Sequence, residues 1–583
     1  MVLVDSSTPL TRQYRSSGIR AACRTLLGGL IVAALAIAAA PDVHAQQQQQ
    51  LDEGATQTQT PERTRKKLEE IRREERLRKG PGFELPVIET EGEGVRIPKR
   101  GEGPKFLARR IDIPESEILS AEEIGAIVSR YEGREVELAD LYELVAEINA
   151  LYREKGFVTA RALLPPQTIS EGVVIIELIE GIVGRIRIEG NAYTRPEFIA
   201  GRLDLEEGDL VNLEILERAL IRFNKLNSVR LGVRLEPGEE FATTDIVVLP
   251  EEPQLFTFTP YFDSDGTVAT GEYRTGGLVG IAAASGSADP VSLGFTRING
   301  LHSGFLSYAV SLTTWGTRLS STVSVSKSEI KRGPFGGLGI TSSSRQFGVR
   351  LSQPLFINRY FLVSVDAGLD ESDSTSDLAS LEQKTGIGKG SGGLVVEGTG
   401  DTAFWTVAVR GNRFYAEVET AGVEARTYHT TLATEAAYYQ RLGETFAFFF
   451  RGRGQYAHGE PLPPAEQFYN GGATSLRAYE LFEFAGDDGY NAVVELQANI
   501  PLAELRMASQ DVDPTLQLYV FYDHGGAFPF RAKGTKQIQR IDFANAAGAG
   551  FRVFDLLGGG SVDAFYARSL DGRHRGVERD PRV

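Results

Sequence analysis

The 583-residue chain has a single cysteine, Cys23. It lies inside Met1–Ala45, which reads as a secretory signal. Arg12, Arg15, Arg20 and Arg24 form a basic n-region, Leu26–Ala40 a short apolar h-region, and Val43-His44-Ala45 a small-x-small cleavage site. A mature chain without cysteine has no disulfides, so an exported protein of this kind is held by a large core or a closed hydrogen-bonded barrel. Long apolar runs are also missing. Leu26–Ala40 is short for a bilayer span and nothing after it is long enough, so a membrane protein built from this sequence has to cross as strands. Excess positive charge is missing too. Lys and Arg total 62 against 78 Asp and Glu, a net −16, which argues against a nucleic-acid partner.

Groupings that carry catalysis or bind metal are equally scarce. Beyond the signal, His302, His429, His458, His524 and His574 are not paired at ligand spacing, and no cysteine assists them. No Ser-His-Asp or paired-carboxylate constellation stands out, so neither an enzyme nor a cofactor is expected. Asp263-Ser264-Asp265-Gly266 lacks the remaining oxygen ligands of a calcium loop and reads as a hairpin turn. Gly388-Lys389-Gly390-Ser391-Gly392-Gly393 fits GxGxxG, but without a strand before it or a helix after it; it reads as a surface loop.

What is present divides into parts. Residues 46–104 hold a polar tract, a highly charged helix at Pro61–Lys79 and a Gly/Pro-rich linker at Gly80–Gly103. Charges face all round that helix, so no domain core holds it. Residues 105–181 read β-α-α-β-β: a strand at Phe106–Ile113, a helix at Glu137–Lys155 stopped by Gly156, and strands at Val158–Leu164 and Val173–Ile179. Residues 182–252 repeat the plan, with a strand at Val183–Glu189, a helix capped by Asn212, and strands at Val229–Leu235 and Asp245–Leu249 joined at Pro237-Gly238. Two tandem copies of one α+β unit suggest a modular binding arm.

From residue 253 helical periodicity stops. Alternating segments recur at Leu255–Phe262, Phe305–Thr313, Ser321–Lys327, Gln346–Leu355, Tyr360–Leu369, Phe404–Gly411, Phe446–Tyr456 and Leu516–Tyr522. Val494, Leu496, Ala498 and Ile500 alternate with Glu495, Gln497 and Asn499, giving one oily and one wet face. Such strands suit a transmembrane β-barrel; a soluble β-helix or sandwich is the competing reading.

Two sets of motifs carry a family resemblance. The two α+β units resemble POTRA domains (polypeptide-transport-associated modules). The first does so through Tyr152, Gly156, Leu164-Pro165-Pro166-Gln167, Gly172, Glu180 and Gly181, the second through Gly190-Asn191, Pro237-Gly238 and Thr244-Asp245. Phe468–Glu495, a long loop holding Gly471-Gly472 and Leu476-Arg477-Ala478-Tyr479, resembles the pore-inserted loop of the two-partner-secretion transporters, the hemolysin secretion/activation family. Phe521-Tyr522-Asp523-His524-Gly525 resembles that family's Phe-x-Asp-x-Gly strand.

The resemblance implies a sixteen-stranded outer-membrane barrel behind two periplasmic POTRA domains. It implies that Arg477 reaches Asp523 in the lumen and pins the loop there, and that Pro61–Lys79 plugs the pore. Ala478 replaces the family glycine, a strained choice if that position needs φ > 0. It further implies an unfolded exoprotein client of the large adhesin or hemolysin type, a surround of outer-membrane lipid, and insertion by the barrel-assembly machinery. An assembly factor that inserts other barrels is the rival within the superfamily. Eleven strand candidates precede the long loop and four follow, where the family has five; Ser561–Leu570 resembles the penultimate strand, and Asp571–Val583 has no alternation. The expectation is a barrel whose last strand is missing through truncation.

Overall fold

In the computed structural model, residues 88–90, 105–169, 171–333, 335–378, 381–502, 514–528, 542–556 and 560–571 are described. The expected signal, charged helix and final segment lie outside them.

The first α+β module packs α1 (Ala121–Val128) and α2 (Leu138–Glu154) on short strands. Ser120 and Glu123 close a capping box on α1. Leu141, Leu144, Val145, Ile148 and Tyr152 form the buried stripe of α2. The expected strand from Phe106 is split into Phe106–Ala108 and Arg110–Asp112, because the Gly172 carbonyl accepts from the N–H groups of both Arg109 (2.8 Å) and Arg110 (3.3 Å). Arg161–Leu163, Val173–Ile175 and Glu177–Ile179 are likewise shorter than the alternation suggested.

The second module has α3 (Pro196–Ala200) and α4 (Leu213–Leu226), the latter capped by Asn212, whose side chain accepts from the N–H groups of Glu214 and Ile215. Its sheet runs Ile182–Ile188, Thr243–Glu251, Arg230–Pro237, and then a strand the sequence gave no sign of: Ile88–Thr90, inside the expected linker.

The remaining chain forms one consecutive antiparallel sheet of fifteen strands. These are β1 (Phe256–Asp263), β2 (Arg274–Ile281), β3 (Val291–Ile298), β4 (Leu301–Ser311), β5 (Arg318–Glu329), β6 (Thr341–Ile357), β7 (Phe361–Leu378), β8 (Leu381–Thr399), β9 (Ala403–Thr420), β10 (Val423–Leu442), β11 (Phe446–Gly459), β12 (Asp488–Pro501), β13 (Thr515–Phe528), β14 (Asp542–Leu556) and β15 (Gly560–Ser569). Eleven precede the loop at 460–487 and four follow. Among the described residues no ladder joins β1 to β15.

The burial pattern of this sheet is inverted relative to a soluble protein. On β12, Glu495 and Gln497 are buried while Leu496 is 54% exposed; on β13, Asp523 is buried while Val520 is 54% exposed. Oily residues outside and polar residues inside are what lipid on one face and a wet lumen on the other demand. No helix of the described residues is long and apolar enough to cross a membrane.

Two sequence expectations are corrected here. Gly388–Gly393 is not a surface loop but the middle of β8. Its glycines serve packing: a Cβ on Gly388 would sit 2.5 Å from the ring of Tyr415, its cross-strand partner on β9. Asp263–Gly266 is not a tight turn: Asp263 ends β1, where it chelates the buried Arg274 opposite it on β2 (2.6 and 2.8 Å), and 264–273 is the longer connection that joins the two strands.

The second module is seated on the barrel's turns. Arg195 N–H donates to the Gly286 carbonyl (2.9 Å), Arg202 to that of Thr313 (3.3 Å), and Arg318 to that of Leu226 (3.3 Å). Arg222 lies over the Trp315 ring, and Ala288, from the β2–β3 turn, is part of the module's own hydrophobic core.

Candidate functional site

The connection 460–487 folds back into the cylinder, and its sequence explains how. Phe468–Asn470 pairs antiparallel with Phe484–Gly486 to form a narrow stalk. Asn470 is fully buried. Its amide donates to the carbonyls of Tyr490 on β12 (3.0 Å) and Gly526 on β13 (3.1 Å), and its oxygen accepts from Asn491 (2.9 Å). Gly525 lets the stalk come this close, since a Cβ there would lie 3.0 Å from the Asn470 amide. Gly471 and Gly472 then turn with φ of +111° and +86°, conformations that favour glycine. Ala478 is not among the residues of positive φ, so the departure from glycine there carries no strain.

Arg477 is thereby carried onto the lumen face of β12 and β13. Its backbone N–H donates to Asp523 Oδ2 (3.1 Å), its Nε to the same oxygen (2.9 Å) and its Nη2 to Oδ1 (2.6 Å). The remaining arm, Nη1, donates to Glu495 Oε1 (2.7 Å), and the guanidinium lies 3.5 Å above the Phe521 ring. This is the planar, bidentate, ring-stacked setting in which arginine differs most from lysine.

The two-residue pairing of the sequence reading is one part of a larger network. Glu495 also accepts from Arg552 on β14, through Nη1 to Oε2 (2.8 Å) and Nη2 to Oε1 (3.0 Å), and from Gln497 (2.8 Å). Arg552 stacks 3.7 Å over Tyr519, donates through Nε to Asp563 on β15 (2.9 Å), and meets Gln517 (3.0 Å). Charges thus alternate along Asp523, Arg477, Glu495, Arg552 and Asp563, joining the loop to β12, β13, β14 and β15. Sequence reading saw Glu495 only as part of a wet face and missed Arg552 and Asp563. A signal was present: Arg552 follows Ala544 and Ala546 on the inward, small-residue face of β14.

Further tethers cross the lumen. The Tyr479 hydroxyl donates to Asp571 (2.9 Å) and meets Ser569 (2.7 Å). Lys389 of β8 donates to Glu466 (2.9 Å), Arg451 of β11 to the Thr474 carbonyl, and the Ala473 N–H to Asp265 (3.4 Å). Chemically, this arrangement holds a loop across a polar channel by satisfied charges.

The motif residues of the two modules lie elsewhere and have structural roles. Tyr152 is buried and donates to Glu180 (2.8 Å); burial, with that carboxylate beside it, pushes its phenol upward. Gly156 (φ +85°) ends α2, and its carbonyl accepts from Leu213 (2.8 Å), joining the modules. Gln167 caps the backbone of Ile175 on both sides (2.7 and 2.8 Å) and also reaches the Pro165 carbonyl. Gly172 (φ +78°) supplies the carbonyl that splits the first strand, and Gly181 accepts from Val211 (3.0 Å). Asn191 donates to the Thr194 carbonyl (2.9 Å), Pro237 ends its strand, and Gly238 donates to Thr243 (3.0 Å).

Comparison with known proteins gives three kinds of likeness. Residues 242–553 match the family described as haemolysin secretion/activation protein ShlB/FhaC/HecB, and residues 106–181 match the ShlB-type POTRA domain. The heme/hemopexin transporter protein HuxB of Haemophilus influenzae is 24% identical over 494 residues, covering 81% of this chain and 85% of HuxB. The outer membrane transporter CdiB of Dickeya dadantii is 28% identical over 190 residues, 32% of this chain and 33% of its own. Among solved structures, CdiB from Escherichia coli superposes with a TM-score of 0.59 at 18% identity, covering 88% of this chain and 94% of that one.

Proposed function

Because this chain belongs to the haemolysin secretion/activation protein family of the ShlB/FhaC/HecB type, we propose that it captures one unfolded exoprotein on its periplasmic modules and passes it outward through the barrel. The coarser part stands on the family: the protein is an outer-membrane β-barrel transporter of two-partner secretion, with POTRA structure on the periplasmic side and a secreted protein as partner. The proposal adds the route and the working parts.

The observation that carries it is the loop with Arg477 held inside an inverted, wet-lumened wall. A passive pore needs no such loop and no periplasmic arm. In this reading residues 182–252 act as a second POTRA domain, and an extended client segment pairs with a sheet edge, where backbone hydrogen bonds tolerate any sequence. The Arg477 loop occupies the path and shifts or holds as the client threads. The charged segment Pro61–Lys79 closes the path at rest. Folding of the client outside supplies direction. The client is of the large adhesin or hemolysin type, the barrel is sealed by outer-membrane lipid, and the barrel-assembly machinery inserts it.

Deleting the gene tests this. The expected result is that one large exoprotein stops reaching the cell surface while other outer-membrane proteins remain at normal levels. General loss of outer-membrane proteins would instead identify an assembly factor.

A further inference from the structure

The periplasmic module meets the wall at Gly286, Thr313 and Trp315, on the β2–β3 and β4–β5 turns. β3 runs away from those turns, so Arg297 stands at its cell-surface end, just before the turn at Asn299-Gly300. There a row of basic side chains crosses the outward face. His302 of β4 lies directly opposite Arg297, and Lys327 of β5 directly opposite His302. All three are exposed, and among the described residues no ion pair or side-chain hydrogen bond holds any of them. Neighbouring strands lie about 4.8 Å apart, so the backbones of Arg297 and Lys327 are about 10 Å from each other with an imidazole between. Like charges set across neighbouring strands repel. The one acid of β5, Glu329, is taken by Lys331 (2.7 Å). Arg345 of β6 stands at the margin, opposite Asp373 of β7, where the row ends. On β8 and β10 the outward cations are answered instead: Lys384 by Glu382 and Glu419 (3.6 Å each), and Arg426 by Glu417.

Toward the periplasm the same face turns apolar at once. Phe295 and Leu293 follow Arg297, and Val325 and Val323 follow Lys327, all of them exposed. Below His302 comes Gly304 and then the exposed Leu306. Gly304 opens a slot in this oily surface. A Cβ there would meet only the Gly294 carbonyl, at 3.4 Å. Phe295, its partner on β3, leans the other way, over Gly277 of β2, where an added Cβ would stand 2.9 Å from the ring. On the other side Gly304 faces Val325. The slot therefore lies between Phe295 and Val325, directly beneath the basic row.

We propose that Arg297, His302 and Lys327, with the Gly304 slot beneath them, bind one molecule of lipopolysaccharide, its headgroup phosphates on the basic row and one acyl chain along Gly304. This rests on the barrel's place in the outer membrane and not on the client or the route proposed above. Charge complementarity selects the occupant. A row of donors with no acid of its own attracts anionic headgroups, and long basic side chains reach the headgroup level from an apolar wall. Donors spread over three strands match a sugar headgroup with a phosphate at each end, which a phospholipid with one phosphate cannot span. The row also stands at the cell-surface end, in the leaflet where the phosphorylated glycolipid resides.

The test uses the full chain in phosphatidylcholine nanodiscs. The probe is rough-type lipopolysaccharide, compared with its monophosphorylated form and with phosphatidylglycerol, and native mass spectrometry counts the lipids bound across a titration. The parent chain is expected to hold one lipopolysaccharide, at least about tenfold more tightly than either comparison lipid. Arg297→Gln with Lys327→Gln should weaken that binding at least about tenfold, and the charge-keeping exchange Arg297→Lys with Lys327→Arg should retain most of it. Lys384→Gln with Arg426→Gln removes the same charge elsewhere on the rim and should change nothing. Gly304→Leu keeps every cation and fills the slot; it too should weaken binding. Equal binding by the parent and the Arg297→Gln, Lys327→Gln chain overturns the site, as does an equal loss in the Lys384→Gln, Arg426→Gln chain. Equal affinity for phosphatidylglycerol overturns the glycolipid as the occupant. Unchanged binding by Gly304→Leu overturns the slot.

Discussion

Arg477 of the loop and Arg552 of β14 meet on one oxygen, Glu495 Oε1, at 2.7 and 3.0 Å. Two buried cations are tolerated this close because a carboxylate lies between them and another lies beyond each: Asp523 on the loop side, Asp563 on the wall side. Low exposure strengthens the attractions among Asp523, Arg477, Glu495 and Arg552 and makes each of these four costly to remove.

Arg477→Ala should abolish secretion while the barrel still inserts. It leaves Asp523 and Glu495 without their shared cation, a cost of about 3–5 kcal/mol for a buried pair. Heat-modifiable mobility on gels reads barrel stability, and exoprotein in the culture fluid reads secretion. Arg477→Lys should fail as well, because a single ammonium cannot address two oxygens of Asp523 and one of Glu495 from above Phe521.

The central acid and the outer acid on the wall side should differ. Asp563 is 48% exposed on its side chain and Glu495 is 2% exposed. Asp563→Asn is therefore expected to cost at most about 1 kcal/mol, as partly solvated pairs do. Glu495→Gln should loosen the loop and raise single-channel conductance in planar bilayers. Equal conductance in both variants would contradict the network drawn here.

Gly471→Ala should mimic loss of the loop without touching a charge. The residue has φ +111°, and an added Cβ would overlap the Glu480 carbonyl. More than about 1 kcal/mol of local destabilisation is expected. The check is protease cleavage within 468–486, which should appear in the variant and not in the parent.

The arm–barrel linker should loosen in mild acid. Glu252 accepts from the N–H groups of Ala192 (2.8 Å), Thr194 (2.7 Å) and Tyr193 (3.1 Å). Burial pushes its carboxyl upward, but the hydrogen bonds from Thr194, Ala192 and Tyr193 outweigh this and hold it below its usual 4.5. A depressed carboxyl stabilises the fold above the unfolded value and loses that contribution as pH falls below about 4.5. The protection factors of amides 192–194, that is, their exchange relative to the intrinsic rate at each pH, should fall through that window in the parent chain and stay constant there in Glu252→Gln.

The fold was legible where one physical rule governs many residues. Alternation along Leu516–Tyr522 and Val494–Ile500 announced strands, because lipid on one side and water on the other impose period two. The same rule faded at strand ends. β7 and β8 run 18 and 19 residues, and Asp370–Asp377 and Gln383–Gly393 are polar or glycine-rich on both faces, so their pairing left no trace in composition. That is why Gly388–Gly393 was mistaken for a loop. Arg477 and Asp523 were found through motifs. Arg552 and Asp563 have no motif, and only the register of β14 with β15, opposite Arg552, brings Asp563 into reach. Ile88–Thr90 was invisible for a different reason: three residues are too few to show a period, and the partner strand lies far along the chain.

Ala288 belongs to a turn of the wall yet fills the oily interior of the neighbouring arm. Prising the two apart would uncover that interior, so the joint between them behaves as a weld and not a swivel. Under the proposed function, a pull on the second module would be passed straight to the roots of β2 to β5, which it touches through Gly286, Ala288, Thr313, Trp315 and Arg318.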